Sequence, residues 1–519
     1  MKQSFAQLAR ERLARERGRI DKQAPFTVGL TYPSPYRVGM SSLGFQQVYK
    51  QIQHEPGMAA ERFFLPDATG SGPLASRVES YESVRPLGDL PVVALSVAYE
   101  LELAGVAQIL AASGVGAGRE TRNARQPLVL AGGPLTFSNP LPLGWFADAI
   151  IMGEADTLVL DALRVIRDAG HREQALRDLA QLPHVFVPQH HGRELPPIAK
   201  CEPDLLPAWA PIRTPDTELS DMFLIEAERG CSRSCTYCVM RRTTNGGMRL
   251  VSQERLLSLI PEDADRVGLV GAAVSDHPAI VDIVNALCDR GATVGLSSLR
   301  PNRLSDPFVA ALKRAGYRTL TTAMDGASGR MREVLDRRAK DKHLVQAAEL
   351  TRKHQIPRLK LYLMLGVPGE TDDDIDECAA FTSELSRICP VSLTVAPFCA
   401  KRNTPLDGQP FAGIKVVEKR IKRLRKGLRG RAEVRATSAR WAWVEYVLAQ
   451  GGYPEGEALY AAVQAGGRFA DYKKAFAARS EKTVRRKLFI VRPTADLTQP
   501  KATRWMQPVE RATVTERLP

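Results

Sequence analysis

Short apolar runs alternate with helical patterns between residues 24 and 410, and this alternation restricts the fold more than any other feature. Each run is shorter than a typical helix and is bounded by turn residues. The segments between the runs show helical periodicity, and one of them, YELELAGVAQILAASG, ends at Gly114. Buried strands that are separated by helices form parallel sheets with helices on both faces. The sequence therefore predicts an α/β protein.

The first series of runs predicts a Rossmann-like domain over residues 24–180. Its strand candidates are FTVGLTYP (26–33), PVVALSV (91–97), PLVLAGG (127–133) and ADAIIMG (147–153). Eight prolines then lie from Pro183 to Pro215. Because proline fixes φ and lacks a backbone N–H, we predict an inter-domain linker over residues 181–220.

The second series of runs predicts a partial (β/α)6 barrel over residues 221–410. Its strand candidates are MFLIEAE (222–228), RVGLVGAA (266–273), TVGLSSL (293–299), TLTTAMD (319–325), LKLYLML (359–365) and SLTVAPF (392–398). In barrels of this kind the chemistry lies at the carboxyl ends of the strands. Functional residues are therefore expected in the loops that follow these six runs.

Both ends of the chain are basic. Residues 1–23 predict a basic N-terminal helix, and residues 411–519 predict a helical, basic region with a polar, proline-containing tail that is a candidate for disorder. The net charge is +14, and Lys415 to Arg435 carries ten basic residues against two acidic ones. An apolar stripe at helical spacing in this segment favours a solvated helix face. Nucleic acid is therefore an open partner but not the favoured one.

No apolar run approaches the ~20 residues of a membrane-spanning helix. The N-terminal segment MKQSFAQLARERLARERGRI lacks the apolar core of a secretory signal. We therefore expect a cytoplasmic protein with no membrane partner, in which the eight cysteines stay reduced.

The strongest chemical motif is ERGCSRSCTYCVMRR, which places Cys231, Cys235 and Cys238 directly after the first predicted barrel strand. Thiolates are soft ligands that suit iron–sulfur clusters or zinc. Structural zinc sites and electron-transfer clusters normally use four protein ligands, but the next cysteines along the chain are Cys201 and Cys288. Three thiolates would leave one iron of a [4Fe–4S] cluster open for a cofactor. A zinc site or a chance cluster of cysteines is the alternative.

With Tyr237 directly before its last cysteine, this motif resembles that of the radical S-adenosylmethionine (SAM) superfamily. The resemblance implies an enzyme whose [4Fe–4S] cluster binds SAM and cleaves it reductively to methionine and a 5′-deoxyadenosyl radical. It also implies a low-potential electron donor, such as a flavodoxin or a ferredoxin. Over residues 25–470 the chain resembles a bacterial group with a cobalamin-binding-like domain ahead of the barrel.

The resemblance further implies SAM contacts at the ends of the barrel strands. The residues assigned to SAM are Tyr237, Gly271, Ser298, Arg300, Asp325, Arg332 and Gly366. Gly271 begins a turn that lacks the acidic residue of the family, so that backbone atoms alone would meet the methionine amine. Asp325 and Arg332 match the acidic residue and the arginine of another family segment. A structural ion pair is the alternative for these two.

Cys399, Lys401 and Arg402 follow the sixth predicted barrel strand. Lys401 and Arg402 are candidates for contact with an anionic substrate. A lone cysteine beside apolar strand residues usually behaves as a small buried hydrophobe, and this is the interpretation of Cys399.

The N-terminal domain contains the segments YELELAGVAQILAASG, LAGGPLTFSNPLPL and FADAIIMGEADTLVLDAL. Through them it resembles the cobalamin-binding domains that precede many radical SAM barrels. The cobalamin assignments are Ser96, Gly132, Gly133, Gly153 and Glu154. The usual cobalt ligand lies in an Asp-x-His-x-x-Gly motif, but the equivalent loop here, TYPSPYRVGMSSLG, has no histidine. Two interpretations are open: the domain binds cobalamin without a protein ligand to cobalt, or it binds no cobalamin and only shields the barrel.

Three functions compete. The leading hypothesis is a radical SAM methyltransferase with cobalamin as the methyl carrier. A radical RNA-modifying enzyme of the methylthiotransferase type fits the basic C-terminal region, but such enzymes carry a second cysteine-ligated cluster, and residues 1–200 contain no cysteine. The third is a non-catalytic iron–sulfur protein. The open iron and the polar strand ends argue against it, because an electron carrier needs neither.

Overall fold

The computed structural model describes residues 4–67, 70–240, 247–297 and 299–480. The chain forms two α/β halves, each built on parallel strands. The strands are β1 (Phe26–Pro35), β2 (Met58–Leu65), β3 (Val92–Ser96), β4 (Leu128–Gly132), β5 (Ala149–Ile151), β6 (Val185–Phe186), β7 (Phe223–Glu226), β8 (Glu228–Gly230), β9 (Met248–Leu250), β10 (Arg266–Val270), β11 (Thr293–Leu296), β12 (Leu320–Asp325), β13 (Leu359–Leu365), β14 (Val391–Pro397) and β15 (Glu433–Ala436).

The helices of the described residues mostly connect successive strands. They are α1 (Phe5–Arg15), α2 (Tyr36–Gly39), α3 (Leu43–His54), α4 (Leu103–Ala112), α5 (Leu158–Asp168), α6 (Arg172–Leu179), α7 (Pro188–His191), α8 (Gln253–Leu259), α9 (Ile280–Asp289), α10 (Asp306–Arg314), α11 (Gly329–Val334), α12 (Asp341–Lys353), α13 (Asp372–Ile388), α14 (Ile414–Gly427), α15 (Ala439–Gln450), α16 (Tyr453–Gln464) and α17 (Phe469–Ser480). Within the described ranges, no helix combines the length and the apolar character needed to cross a bilayer.

The N-terminal half is a six-stranded sheet in the order β2-β1-β3-β4-β5-β6, in which only β6 runs antiparallel. One face packs on α3, α5 and α6 through residues such as Phe45, Ile52 and Leu163. The strands are almost wholly buried, because helices cover both faces of a parallel sheet. This is the Rossmann-like architecture that the sequence predicts.

The last three helices complete the core of the N-terminal half. Leu448 and Leu459, on α15 and α16, pack with Val106 on α4 and Phe146 in one buried cluster. The buried amide of Asn139 donates to the carbonyls of Leu448, Ala449 and Gly451 at the end of α15. The C-terminal region is therefore helical, as predicted, and belongs structurally to the first sheet as well as to the barrel.

The barrel of the second half contains the six predicted strands and one more, and β8 and β9 form a separate pair beside them. The barrel strands form two hydrogen-bonded parallel sheets, in the orders β11-β10-β7 and β12-β13-β14-β15, around one large apolar core. The seventh strand, β15, and the antiparallel pair of β8 with β9 are not anticipated by the sequence. The α/β class and the partial barrel are confirmed.

The basic helix α14 lies against the barrel with its apolar stripe inward. Val417, Ile421 and Leu424 are buried, and most of the basic side chains lie on the outer surface. Part of this charge is balanced by acidic residues on and just before α13, as in the pair of Arg420 with Glu370 at 2.9 Å. The predicted tail beyond residue 480 lies outside the described residues.

Candidate functional site

The three cysteines of the motif line a single cavity at the carboxyl ends of the barrel strands. Cys231, Cys235 and Cys238 follow β8 and share a space of about 240 Å³. Burial raises the pKa of the Cys235 thiol, and it raises the pKa of Cys238 to about 11. Both are therefore protonated at neutral pH as free thiols, and a bound metal would have to supply the charge that stabilises the thiolates.

Arginine faces the first of these cysteines. Arg300 Nη2 lies 2.9 Å from Cys231 Sγ, and its Nη1 lies 3.3 Å from the carboxylate of Asp276. The backbone N–H of Arg233 also donates to Cys231 Sγ, at 3.3 Å. The site thus offers three sulfurs in one cavity and a cation beside them, a donor set that fits a three-cysteine iron–sulfur cluster.

Hydroxyl and charged groups from the barrel strands and from the loops between them form the remaining polar wall. These are Arg233, Tyr237, Ser297, Arg300, Thr321, Thr322, Asp325, Arg337 and Tyr362. Parallel strands bring their carboxyl ends to one edge, so residues that are distant in sequence meet here. The wall can hydrogen-bond a ligand that carries several hydroxyls and a charged group.

Asp325 is the acidic residue of this wall. It ends β12 with φ of +61° and accepts a hydrogen bond from the Tyr237 hydroxyl at 2.9 Å. Its carboxylate also forms an ion pair with Arg337. Burial and the charge of Asp325 raise the pKa of Tyr237, so the tyrosine stays a hydrogen-bond donor. Two of the residues assigned to SAM from the sequence, Tyr237 and Asp325, are therefore in direct contact.

Arg332 and Gly366 are not among the residues that line the cavity. The guanidinium of Arg332 is 4% exposed and pairs with Asp341, so Arg337 is the arginine that meets Asp325. Gly366 has φ of +86° and donates its N–H to Glu370 at 2.9 Å. Ser298 lies outside the described residues.

A buried glutamate underlies the turn at Gly271. Glu228 is fully buried, and its Oε1 accepts the N–H of Ala273 at 2.6 Å while Oε2 has no hydrogen-bond partner. A Cβ on Gly271 would overlap Glu228 Oε1, so only glycine fits this position. Burial raises the pKa of Glu228 to about 7. The acidic group that is missing from the turn itself is thus present beneath it, from the neighbouring strand.

The residues assigned to cobalamin lie at or near the carboxyl edge of the first sheet. Ser96 and Gly132 end adjacent strands and are paired in the ladder. The space beside Gly133 and Gly153 is filled by this chain's own atoms, since a Cβ on Gly133 would lie 2.6 Å from Val97 O and one on Gly153 would overlap Ile198 and Ala199. These two glycines are therefore required by packing in the structure.

Glu154 joins the first half of the chain to the cysteine loop. It pairs with Arg249 and lies 3.4 Å from Arg229, two residues before Cys231. Its oxygens, those of Asp156 and the sulfur of Cys201 lie within 4.8 Å of one another, a spacing that could suit a metal. The two arginines already neutralise these carboxylates, so the group acts as an ion-pair network.

Lys401 joins three parts of the chain. Its ammonium lies 2.6 Å from both Glu100, after β3, and Glu445, on α15. Burial alone would lower the pKa of Lys401, but the two carboxylates outweigh it and raise the pKa. Arg402 donates to the carbonyl oxygens of Gln450 and Gly451. Both candidates for substrate contact are thus engaged within the chain, and Cys399 donates to the carbonyl of Ala442 at 3.1 Å.

Sequence reasoning missed Glu228, Arg233, Asp276 and Arg337. Arg233 and Glu228 lie within three residues of Cys231, so closeness to the motif was a usable signal. Asp276 is 2% exposed and is shared by Arg233, Arg300 and Arg303. Nothing in the sequence marks it.

Comparison with known proteins gives two family matches. Residues 44–188 match the model described as radical SAM proteins, N-terminal, and residues 225–382 match the model described as the radical SAM superfamily. The chain is 25% identical over 408 residues to uncharacterized protein MJ0966 of Methanocaldococcus jannaschii, and the match covers 76% of this chain and 83% of that protein.

Two solved structures of the radical SAM methyltransferase TsrM from Kitasatospora setae have a similar fold. The one with cobalamin and a [4Fe–4S] cluster bound is 13% identical, with a TM-score of 0.54 over 88% of this chain and 100% of that chain. The one with the substrate tryptophan and a SAM analog bound is 14% identical, with a TM-score of 0.53 over 76% of each chain. At these identities the likeness concerns the fold of both halves.

Proposed function

Because this chain belongs to the radical SAM superfamily, we propose that it is a cobalamin-dependent methyltransferase that holds a [4Fe–4S] cluster on Cys231, Cys235 and Cys238. The observation that carries the proposal is the single cavity in which these three sulfurs meet the polar strand ends. When bound, the cluster supplies the electron for reductive cleavage of SAM, and cobalamin supplies a carrier for the methyl group.

The residues of the cavity would bind and orient the nucleotide. Asp325, held by Tyr237 and Arg337, accepts hydrogen bonds from vicinal hydroxyls, which a ribose carries. Arg300 compensates the negative charge of the sulfur ligands. The Gly271 turn, braced by Glu228, presents backbone groups beside Ser297, which exchanges hydrogen bonds with Gly271 at 2.7 and 3.1 Å.

Cobalamin is supported by the arrangement of the two halves. The carboxyl edge of the first sheet, with Ser96 and Gly132, is joined to the barrel mouth by Lys401 with Glu100 and by Asn403, which donates to Phe137 O at 3.2 Å. Ligands of open α/β sheets bind at that edge. The likeness of fold to TsrM, whose structure contains cobalamin, extends over both halves. The loop at residues 31–44 has no histidine and would offer no imidazole ligand to cobalt.

The methylthiotransferase alternative is not favoured by any contact in the described residues. Its second cluster would need cysteines in the N-terminal half, and residues 1–200 have none. The three-cysteine cavity with its polar wall likewise gives no support to a pure electron carrier.

The experiment is anaerobic reconstitution with iron, sulfide and hydroxocobalamin, followed by metal and corrinoid analysis and an assay for SAM cleavage. We expect about four iron atoms per chain and close to one corrinoid. Cys235→Ala should lose the cluster absorbance, whereas the matched control Cys288→Ala, on α9 and outside the cavity, should retain it. Stoichiometric zinc in place of iron would refute the cluster. A full cluster with no corrinoid uptake would refute the cobalamin-dependent methyltransferase.

A further inference from the structure

A positively charged surface adjoins the outer side of the cysteine loop. We define the arginine surface as Arg233, Arg303 and Arg338. The side chains of Arg303 and Arg338 are 51% and 61% exposed, and Arg233 is 15% exposed at the edge of the cavity. Ser232, between Cys231 and Arg233, is also exposed. The loop that carries the first two cysteines therefore reaches solvent beside these arginines.

Contacts tie this surface to the cysteine loop. Arg338 Nη2 lies 3.5 Å from Ser234 Oγ, directly before Cys235. Arg303 donates to Asp276 at 3.1 Å, and the same carboxylate lies 3.3 Å from Arg300, which in turn contacts Cys231. One or two side chains thus separate the exposed guanidinium groups from the sulfurs.

Among the described residues, the charge on this surface is only partly balanced by carboxylates. Four guanidinium groups, counting Arg300, face the two carboxylates of Asp276 and Asp336. Arg300 has a role inside the cavity, but Arg303 and Arg338 do not line it. Their half-exposed guanidinium groups are accessible to a partner protein.

We propose that the arginine surface is the docking site for an acidic one-electron carrier protein that reduces the cluster. One electron leaves the reduced centre of the carrier, which is oxidised by one unit, and enters the cluster, which is reduced by one unit; no bond or proton is transferred. Opposite charges steer such an encounter, and the surface lies where the path to the sulfurs is short. This inference rests on the proposed cluster and not on cobalamin.

The test uses the reconstituted full chain and a reduced acidic ferredoxin as the probe. Its affinity is measured by titration at several salt concentrations, and cluster reduction is followed by stopped-flow absorbance. We expect Arg303→Glu with Arg338→Glu to weaken binding and slow reduction by ~10-fold or more at low salt, with most of the salt dependence lost. Reduction by the methyl viologen radical, a small cation, should not slow.

The matched control is Lys422→Glu with Lys426→Glu on the exposed side of α14, which makes the same charge change away from the cavity. This pair should leave ferredoxin binding unchanged. Iron analysis verifies the cluster in each variant, and if the glutamate pair loses it, Arg303→Gln with Arg338→Gln gives the same test with a smaller effect. Unchanged ferredoxin affinity, equal losses in the α14 control, or a loss of affinity for an RNA oligonucleotide only would overturn the proposal. A protein that takes up a cluster but no corrinoid would refute the methyltransferase and leave this test intact.

Discussion

Arg300 donates from Nη2 to Cys231 Sγ across 2.9 Å, which joins the loop after β11 to the first cysteine of the motif. The same guanidinium is 3.3 Å from Asp276 and is 7% exposed. A buried cation held at this distance would favour added electron density on a cluster bound there.

The first prediction concerns this contact. Arg300→Gln should shift the reduction potential of the cluster to a more negative value by ~60 mV, because a charged hydrogen bond to a ligand sulfur is lost. An EPR-monitored redox titration measures the shift. Arg300→Lys, which keeps the charge, should recover part of it, and equal potentials in all three proteins would contradict the expectation.

The second prediction separates two residues that the sequence assigned together. Asp325→Asn should weaken SAM binding to the cluster-loaded protein by ~10-fold or more, because a charged acceptor in the cavity wall is lost. Arg332→Gln should leave the affinity unchanged, since its guanidinium pairs with Asp341 outside the cavity lining. Equilibrium dialysis with labelled SAM checks both. A comparable loss in Arg332→Gln would restore its assignment to SAM.

The third prediction concerns the space beneath the turn. Gly271→Ala should lower the free energy of unfolding by about 2 kcal/mol, because the added methyl overlaps the Glu228 carboxylate. Combined with Glu228→Ala, the loss should be less than the sum of the two single losses. Urea unfolding of the four proteins measures this coupling. Strict additivity would show that the two residues do not compete for the same space.

The fourth prediction is a pH dependence. Burial raises the pKa of Glu228 from 4.5 to about 7, so the folded state binds more protons than the unfolded state between these values. The contribution of this carboxyl to stability is present below pH 4.5 and is lost as the pH rises through 7. Urea unfolding of the cluster-free protein measures this effect. As the pH rises through this range, the free energy of unfolding of Glu228→Gln should increase relative to that of the wild type by up to roughly 3 kcal/mol. If the difference in unfolding free energy between the two proteins did not change with pH, Glu228 would be ionised in the folded protein throughout this range.

The fifth prediction concerns the junction of the two halves. Lys401→Met should cost about 3 kcal/mol, because Glu100, at 2% exposure, loses its cation. Glu445→Gln should cost less, since that side chain is 25% exposed. Thermal unfolding followed by circular dichroism ranks the two. A neutral Lys401→Met would indicate that the carboxylate is protonated or hydrated in the folded state.

The barrel strands were predictable because buried parallel strands are continuous apolar runs. LKLYLML, for instance, coincides with β13. The strand β2 was not predicted, because Glu61 and Arg62 interrupt its apolar pattern. Arg62 is fully buried there and is neutralised by Glu16 at 2.8 Å and Glu82 at 2.6 Å, partners that no local pattern reveals. A tertiary ion-pair network replaces the apolar side chain that the pattern requires.

The spacing of the three cysteines predicted that they lie together, and they do line one cavity. Which arginine meets Asp325 depends on backbone direction instead. After α11 the chain turns at Asp336, with φ of +46°, and this turn returns Arg337 to the cavity while Arg332 stays on the helix. An aspartate with positive φ has no clear sequence signature. The sequence therefore could not decide whether Arg332 or Arg337 meets Asp325.

The packing of α15, α16 and α17 on the first sheet has a consequence for biosynthesis. These helices cover an apolar face formed by α4 and by strands of the first sheet. The residues of that face all belong to the N-terminal half of the chain. During translation that apolar face stays open until residues 439–480 have left the ribosome, long after the sheet itself can form. The nascent N-terminal half therefore exposes this apolar face until the barrel has been synthesised. A product truncated before α15 would keep the face exposed and would be retained by chaperones.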